Sequence, residues 1–397
     1  MTNLPIYLDN HATTRTDPRV VAAMSPFWTE CFGNAGSGQH RFGQIAADAV
    51  EKARGQIADC LQVPSNEIYF TSGATEANNL ALKGIFAGRS QGPTGHLIVS
   101  AAEHRAILDP AKRLRRNGVE VTILPVNEHG RVDPQQVADA IRPTTKLVST
   151  IWANNEIGTW NDVATIGRLC RERGVWFHTD AVQAVGKIPI DLRSLPIDLM
   201  SCSAHKIYGP PGIGALIVRR GRRRIRLTPL LDGGGQEGGI RSGTVPVPLV
   251  IGFGEALRIA GEELPSEEVR IRELRDQLWT RLQTRCDSLI LNGHPTERLA
   301  GNLNLSVLGV DGTALLAGLT DVAVSSGSAC TTRDPEPSHV LRAIGRNDQL
   351  SRASLRIGIG RFNTIAEIDT AAEHIATVIE QLRDHKRKHT EHHATHD

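Results

Sequence analysis

The chain has 397 residues, 40% apolar and 22% charged, which is enough for a packed core and excludes disorder over most of its length. Its 45 basic and 43 acidic side chains leave a net charge of +2, which excludes the overall basic surface that would alone point to nucleic acid. The 6 cysteines (Cys31, Cys60, Cys170, Cys202, Cys286 and Cys330) are too few and too scattered for a disulfide scaffold or a thiolate zinc site.

Length sets a prior of two or three domains. No basic segment followed by an apolar stretch opens the chain, and no run of about 18 apolar residues occurs, so a cytoplasmic protein without a membrane span is expected. Strands are predicted over Glu67–Thr71, His96–Ser100, Glu120–Leu124, Lys146–Trp152, Val175–Asp180, Ile197–Cys202 and Gly214–Arg219, each a short apolar run near Gly, Pro or Asn. Between them lie helical patterns such as Thr75–Phe86 and Val163–Arg173, the second with Ile166, Leu169 and Cys170 on one face. Strand–helix alternation predicts a mostly parallel sheet covered on both faces, with ligands beyond the carboxyl ends of its strands. From about Val250 the character changes to α+β. A helical stripe of Ile271, Leu274, Leu278 and Leu282 is followed by strands over Asn302–Val307 and Ala323–Ser326 and a helix over Ile365–Leu382.

Three strand ends carry chemistry. Thr71-Ser72-Gly73-Ala74-Thr75 leads from a strand through small residues into a helix. It is either an anion site of the kind phosphate favours or a helix start capped by Ser72 or Thr75. Asp180 closes an apolar run, where a carboxylate needs a cationic partner, such as a protonated heterocyclic nitrogen, or a helix to cap. Lys206 follows another strand in Ser203-Ala204-His205-Lys206, and a buried lysine there has the depressed pKa that Schiff-base chemistry uses. A phosphate cup, an acid and a lysine on one parallel sheet match pyridoxal phosphate.

The chain resembles the group I (NifS/IscS-type) cysteine desulfurases of the class-V aminotransferase family. The motifs are TSGATEANN, AAEH, ANNEIG, HTDAVQAVGK, SAHKIYGPPGIGAL, GGGQE, RSGT and SSGSAC, in this order, and the likeness runs from Leu8 to Phe362. The resemblance implies fold type I of the pyridoxal-phosphate-dependent transferases: an α/β large domain with a mostly parallel seven-stranded sheet, plus a smaller α+β domain. The expected division is 15–262 for the large domain, 1–14 with 263–383 for the small one, and 384–397 as a disordered His-rich tail.

By the same resemblance, Lys206 would hold the cofactor covalently and Asp180 would face its ring nitrogen. Gln183 would bond the phenolic oxygen, and His104 would stack on the ring and move protons. Ala74 and Thr75, with Ser203 and His205, would hold the phosphate, joined by Thr244 from a second subunit of a homodimer. Asn155 and Arg356 would take the substrate carboxylate, a task suited to the planar guanidinium. Cys330, in the small-residue segment Ser325–Arg333, would be the nucleophile that takes sulfur from L-cysteine as a persulfide, leaving alanine.

The implied partner is a sulfur-acceptor protein, such as an iron–sulfur scaffold or a sulfur carrier, and the sulfur would serve cluster assembly or thio-cofactor, tRNA or DNA modification. No resident metal, membrane or direct nucleic-acid partner is expected. A selenocysteine lyase or other C–S lyase, and a non-catalytic binding platform on the same fold, are the alternatives. The basic run Arg219–Arg226 is read as a docking patch or a solvated edge.

Overall fold

The computed structural model describes residues 4–87, 94–221, 224–326 and 337–394. Twelve strands occur among them, in chain order β1 (Ile6–Tyr7), β2 (Ile68–Thr71), β3 (His96–Ser100), β4 (Glu120–Leu124), β5 (Thr145–Ile151), β6 (Trp176–Asp180), β7 (Leu199–Ser203), β8 (Gly214–Val218), β9 (Leu289–Leu291), β10 (Asn302–Val307), β11 (Val322–Ala323) and β12 (Ser354–Gly358). Seven form one sheet in the order β2-β8-β7-β6-β5-β3-β4. β8 pairs antiparallel with both neighbours, and the remaining pairs are parallel. The reversal of β8 has a local cause. The link from Ser203 to Gly214 holds only a short 3-10 turn, too little for the crossover that a parallel partner requires.

β3, β7 and β8 are buried at every residue, as strands covered on both faces must be. One face packs Ile57, Phe177, Ile217 and Phe253; the other packs Leu80, Phe86, Val99 and Leu199. At about 1.5–3 kcal/mol per fully buried large side chain, these two layers supply the main driving force for the sheet.

A second, antiparallel sheet runs β9-β10-β12, and β1 pairs parallel with β11. Their core gathers Leu8, Leu278, Leu305, Ile357 and Ile375. One helix, Val247–Arg285, serves both cores: Val250, Phe253 and Leu257 enter the first, and Leu274, Leu278 and Leu282 the second. The final helix runs Ile365–Ala394, so the backbone stays helical past 384, where the sequence pattern predicts a disordered tail. Among the described residues no helix is long and apolar enough to cross a membrane.

Candidate active site

The parallel strands bring their carboxyl ends to one edge of the large sheet. Thr71 and Ser203 reach the same edge because both register with Gly214. After Thr71 the chain turns at Gly73, with φ 152° and ψ 178°, a conformation that essentially only glycine adopts, and enters the helix Ala74–Phe86. No side chain caps this helix. The Ser72 N–H instead donates to Glu76 Oε2 at 2.7 Å, and Arg241 Nε pairs with Glu76 Oε1 at 2.9 Å. Of the two readings of this turn, the capped start is therefore removed. Uncapped first-turn N–H groups border a cavity of about 1050 Å³, lined there by Ser72, Gly73, Ala74 and Thr75.

Asp180 closes β6 and is 3% exposed. Its carboxylate accepts from Asn78 Nδ2 at 2.7 Å and from the Val182 N–H at 3.1 Å. Neither donor is a cation, so the buried charge keeps capacity for a protonated ring nitrogen. Lys206 ends the short 3-10 turn Ala204–Lys206 that follows β7, and its Nζ donates to the carbonyls of His11, at 2.6 Å, and Ala12. Thr14 pins this turn, donating from both its N–H and its hydroxyl to the His205 carbonyl at 2.9 Å. His104 caps the helix Arg105–Arg116, with Nδ1 accepting the Ala106 N–H at 3.0 Å. Burial lowers its pKa, so the neutral ring carries its proton on Nε2.

The N-terminal segment reaches the cavity by a route that spacing does not reveal. Past β1, Leu8 and Asp9 run beside the end of β12, with Gly358 N–H donating to the Leu8 carbonyl at 2.7 Å. A Cβ at Gly358 would lie 2.8 Å from the His11 nitrogen, so this close approach requires glycine. His11, 3% exposed, then lines the cavity. Its imidazole is held well below its ordinary pKa by burial and by the charges of Lys187 and Arg356. Burial also lowers His205, to about 4, with help from Lys206 and Lys187.

Arg356 on β12 is nearly buried and lines the same cavity. Its Nη2 lies 2.9 Å from Asp9 Oδ1, while Asp9 Oδ2 accepts the Ser325 hydroxyl at 2.6 Å. Its Nε has no hydrogen-bond partner among the described residues, so the guanidinium keeps donors for an incoming carboxylate. Beside it, burial pushes the Glu156 carboxyl up to about 7, and Ser338 donates its hydroxyl to that carboxylate.

Ala74, Thr75, His104, Asn155, Asp180, Gln183, Ser203, His205, Lys206 and Arg356 all line this one cavity. Thr244 is exposed and is not part of the lining, and Cys330 lies outside the described residues. Sequence reasoning passed over Asp9, His11, Asn78, Glu156 and Ser338. Asn78 and Glu156 stand inside the TSGATEANN and ANNEIG motifs, and Asp9 and His11 inside the stretch of likeness that begins at Leu8, which were the available signal. None of the other cysteines lines the cavity; burial pushes the thiols of Cys170 and Cys202 up to about 12 and that of Cys60 to about 11. Arg219, at the head of the basic run, is tied to Glu67 at 2.8 Å, which leaves it little freedom as a docking side chain.

The residues present fit pyridoxal phosphate: an uncapped helix start for the phosphate, an uncompensated carboxylate for the ring nitrogen, and the Lys206 amine lining the same cavity. Comparison with known proteins agrees. The model of the aminotransferase class-V family matches residues 6–370. The cysteine desulfurase IscS of Rickettsia bellii (strain OSU 85-389) is 48% identical over 383 residues, which is 96% of this chain and 92% of that protein. A solved NifS-like protein superposes with a TM-score of 0.88 at 34% identity, covering 96% of this chain and 100% of the other. SspA, solved in complex with cysteine, superposes with a TM-score of 0.79 at 36% identity over 90% of this chain and 100% of its own.

Proposed function

The chain belongs to the aminotransferase class-V family, and from that premise we propose that it is a pyridoxal-phosphate-dependent cysteine desulfurase that converts L-cysteine to L-alanine and passes the sulfur on, for iron–sulfur cluster assembly. The observation that carries this reading is the convergence of Asp180, Lys206, His104 and Arg356 on one cavity beyond the strand ends. When bound, pyridoxal phosphate supplies an electron sink and a covalent attachment for an amine.

The protein's own groups do the rest. Lys206 would hold the cofactor through Nζ and would carry the substrate's α-proton. Asp180 keeps the ring nitrogen protonated by its buried negative charge. Ala74, Thr75, Ser203 and His205 hold the phosphate, and His205, being neutral, accepts or donates a hydrogen bond there rather than adding charge. His104, with Nδ1 occupied, has Nε2–H for proton transfer. Arg356 and Asn155, which line the same cavity, take the α-carboxylate. The Cys330 thiolate bonds to the substrate sulfur as the carbon–sulfur bond breaks. The β-carbon then takes a proton, alanine leaves and Cys330 carries the persulfide. A sulfur-acceptor protein receives it by thiolate exchange. In a homodimer, Thr244 reaches the phosphate of the second copy.

The test is to incubate the cofactor-loaded protein with L-cysteine and a thiol and to quantify alanine and sulfide. Equal amounts of the two are expected, and absence of alanine would sink the reading. Arg356→Ala should raise KM for L-cysteine about 10- to 100-fold, since a charged hydrogen-bonded pair contributes about 1.5–3 kcal/mol. An unchanged KM would remove Arg356 from the carboxylate site.

A further inference from the structure

Lys187 lies in the turns that follow Asp180, four residues after Gln183, and has no part in the chemistry above. Backbone bonds from Val185 to Ala181 and from Ile188 to Ala184 fold this segment into successive turns, with Gly186 at φ 71°, and the side chains at 183 and 187 meet. Lys187 Nζ donates to Gln183 Oε1 at 2.6 Å. Gln183, 2% exposed, sends Nε2 to the His11 carbonyl at 3.0 Å, and His11 Nδ1 stands 3.2 Å from Gln183 Oε1.

A buried amide can turn over by 180° with almost no change in shape, exchanging acceptor for donor. Two neighbours prevent that here. The His11 carbonyl accepts only, and Lys187 while protonated donates only, so Oε1 faces Lys187 and Nε2 faces the His11 carbonyl. Nε2 has two hydrogens, and His11 takes one. A lysine this enclosed usually meets a carboxylate; Glu267 and Glu268 line the same small cavity, but their ion pairs run to Arg361 and Arg272. Burial, and then the charge of Lys206, push its ammonium down to about 7. A second cavity of about 40 Å³, lined by Lys187, His11 and Tyr208, has room for water to take its remaining hydrogens.

We infer that Lys187 is a positioning residue: it holds the Gln183 amide in the orientation that aims an Nε2 donor at the phenolic oxygen of bound pyridoxal phosphate. The inference rests on the reading of Gln183 as the partner of that oxygen. A donor there stabilises the oxygen's negative charge and so weakens the hold on the nearby proton at the lysine–cofactor linkage. Without it the proton is held more tightly.

The test is a pH titration of the visible absorption band in the loaded enzyme, without substrate. Lys187→Met should move the midpoint upward by about one unit, the equivalent of one hydrogen bond. Gln183→Leu should move it by a similar amount, and adding Lys187→Met to Gln183→Leu should move it little further. Lys187→Gln keeps a donor without the charge and should lie close to the wild-type midpoint. It also serves where the Met variant fails to take up cofactor. An unmoved midpoint in Lys187→Met overturns the inference. So does an equal shift in both Gln183 backgrounds, which would mean that Lys187 acts through charge alone, or a Gln variant displaced as far as the Met one. If Gln183→Leu itself has no effect, the role given to Gln183 fails and the role of Lys187 falls with it. If only the Lys187 variants are silent, Gln183 stands and Lys187 alone is refuted.

Discussion

Lys206→Ala should leave a protein that folds but cannot fix its cofactor: borohydride treatment followed by digestion should find no labelled peptide at position 206. Turnover of L-cysteine should fall by about 10⁴-fold, because one side chain is asked both to attach the cofactor and to move the α-proton, and a positioned proton carrier alone contributes about 10²–10⁴. The geometry explains why no neighbour can substitute. Lys187, the next amine, is committed to Gln183 at 2.6 Å, and His104 Nδ1 is engaged with the Ala106 N–H at 3.0 Å. The residual capacity to bind pyridoxal phosphate should persist, since the uncapped helix start at Ala74 and the Asp180 carboxylate are untouched. Covalent fixation at wild-type levels in this variant would remove the centre of the proposed function.

Cys330→Ala should give the opposite separation. The visible absorption band and the binding of L-cysteine should be unchanged, while transfer of sulfur to a thiol or protein acceptor should drop by about 10³-fold or more. With ³⁵S-cysteine, the wild-type protein should carry label that dithiothreitol releases, and the variant should carry none. Three of the five remaining thiols are poor substitutes. Cys170 and Cys202 are buried, with pKa pushed up to about 12, and Cys60 is raised to about 11, so near neutral pH they hold almost no thiolate. Undiminished sulfur transfer by Cys330→Ala would refute the assignment of the nucleophile.

Much of the large sheet was legible because most of its strands are apolar runs buried on both faces, the edge strand Glu120–Leu124 excepted. His96–Ser100 and Glu120–Leu124 agree with prediction at both ends, and the other strands of that sheet agree to within a residue or two. Direction was not legible for β8, since an apolar run such as Gly214–Val218 reads the same whether it runs with or against its neighbours. The long helix was legible only as its second stripe. Gly252, Gly254, Gly261 and Pro265 look like punctuation in the sequence, yet all lie inside Val247–Arg285. At the site, Asp180 and Lys206 stood out because a charged residue at the end of an apolar run demands a partner. Asp9 and His11 did not, since their role depends on contacts with Gly358, Arg356 and Gln183, far away in sequence, and no periodicity reports those. Lys187 was not legible for another reason: a lysine in a turn ordinarily reads as a solvated surface side chain, and only its contact with Gln183 shows it enclosed.

The shared helix bears on how the protein comes apart. Val250, Phe253 and Leu257 at one end of Val247–Arg285 and Leu274, Leu278 and Leu282 at the other belong to different cores, but a single run of backbone hydrogen bonds joins them. Melting either core strips one end of the rod of its packing, and short unsupported helix is marginal in water. The two halves should therefore lose structure cooperatively. Calorimetry of the cofactor-stripped protein should give one peak, with calorimetric and van't Hoff enthalpies equal, whereas two resolved peaks would show that the rod breaks near Pro265. Because Asp180 and the turn that carries Lys206 belong to one sheet and Arg356 to the other, a single melting event would leave no half-assembled catalyst able to hold the cofactor without its substrate's anchor.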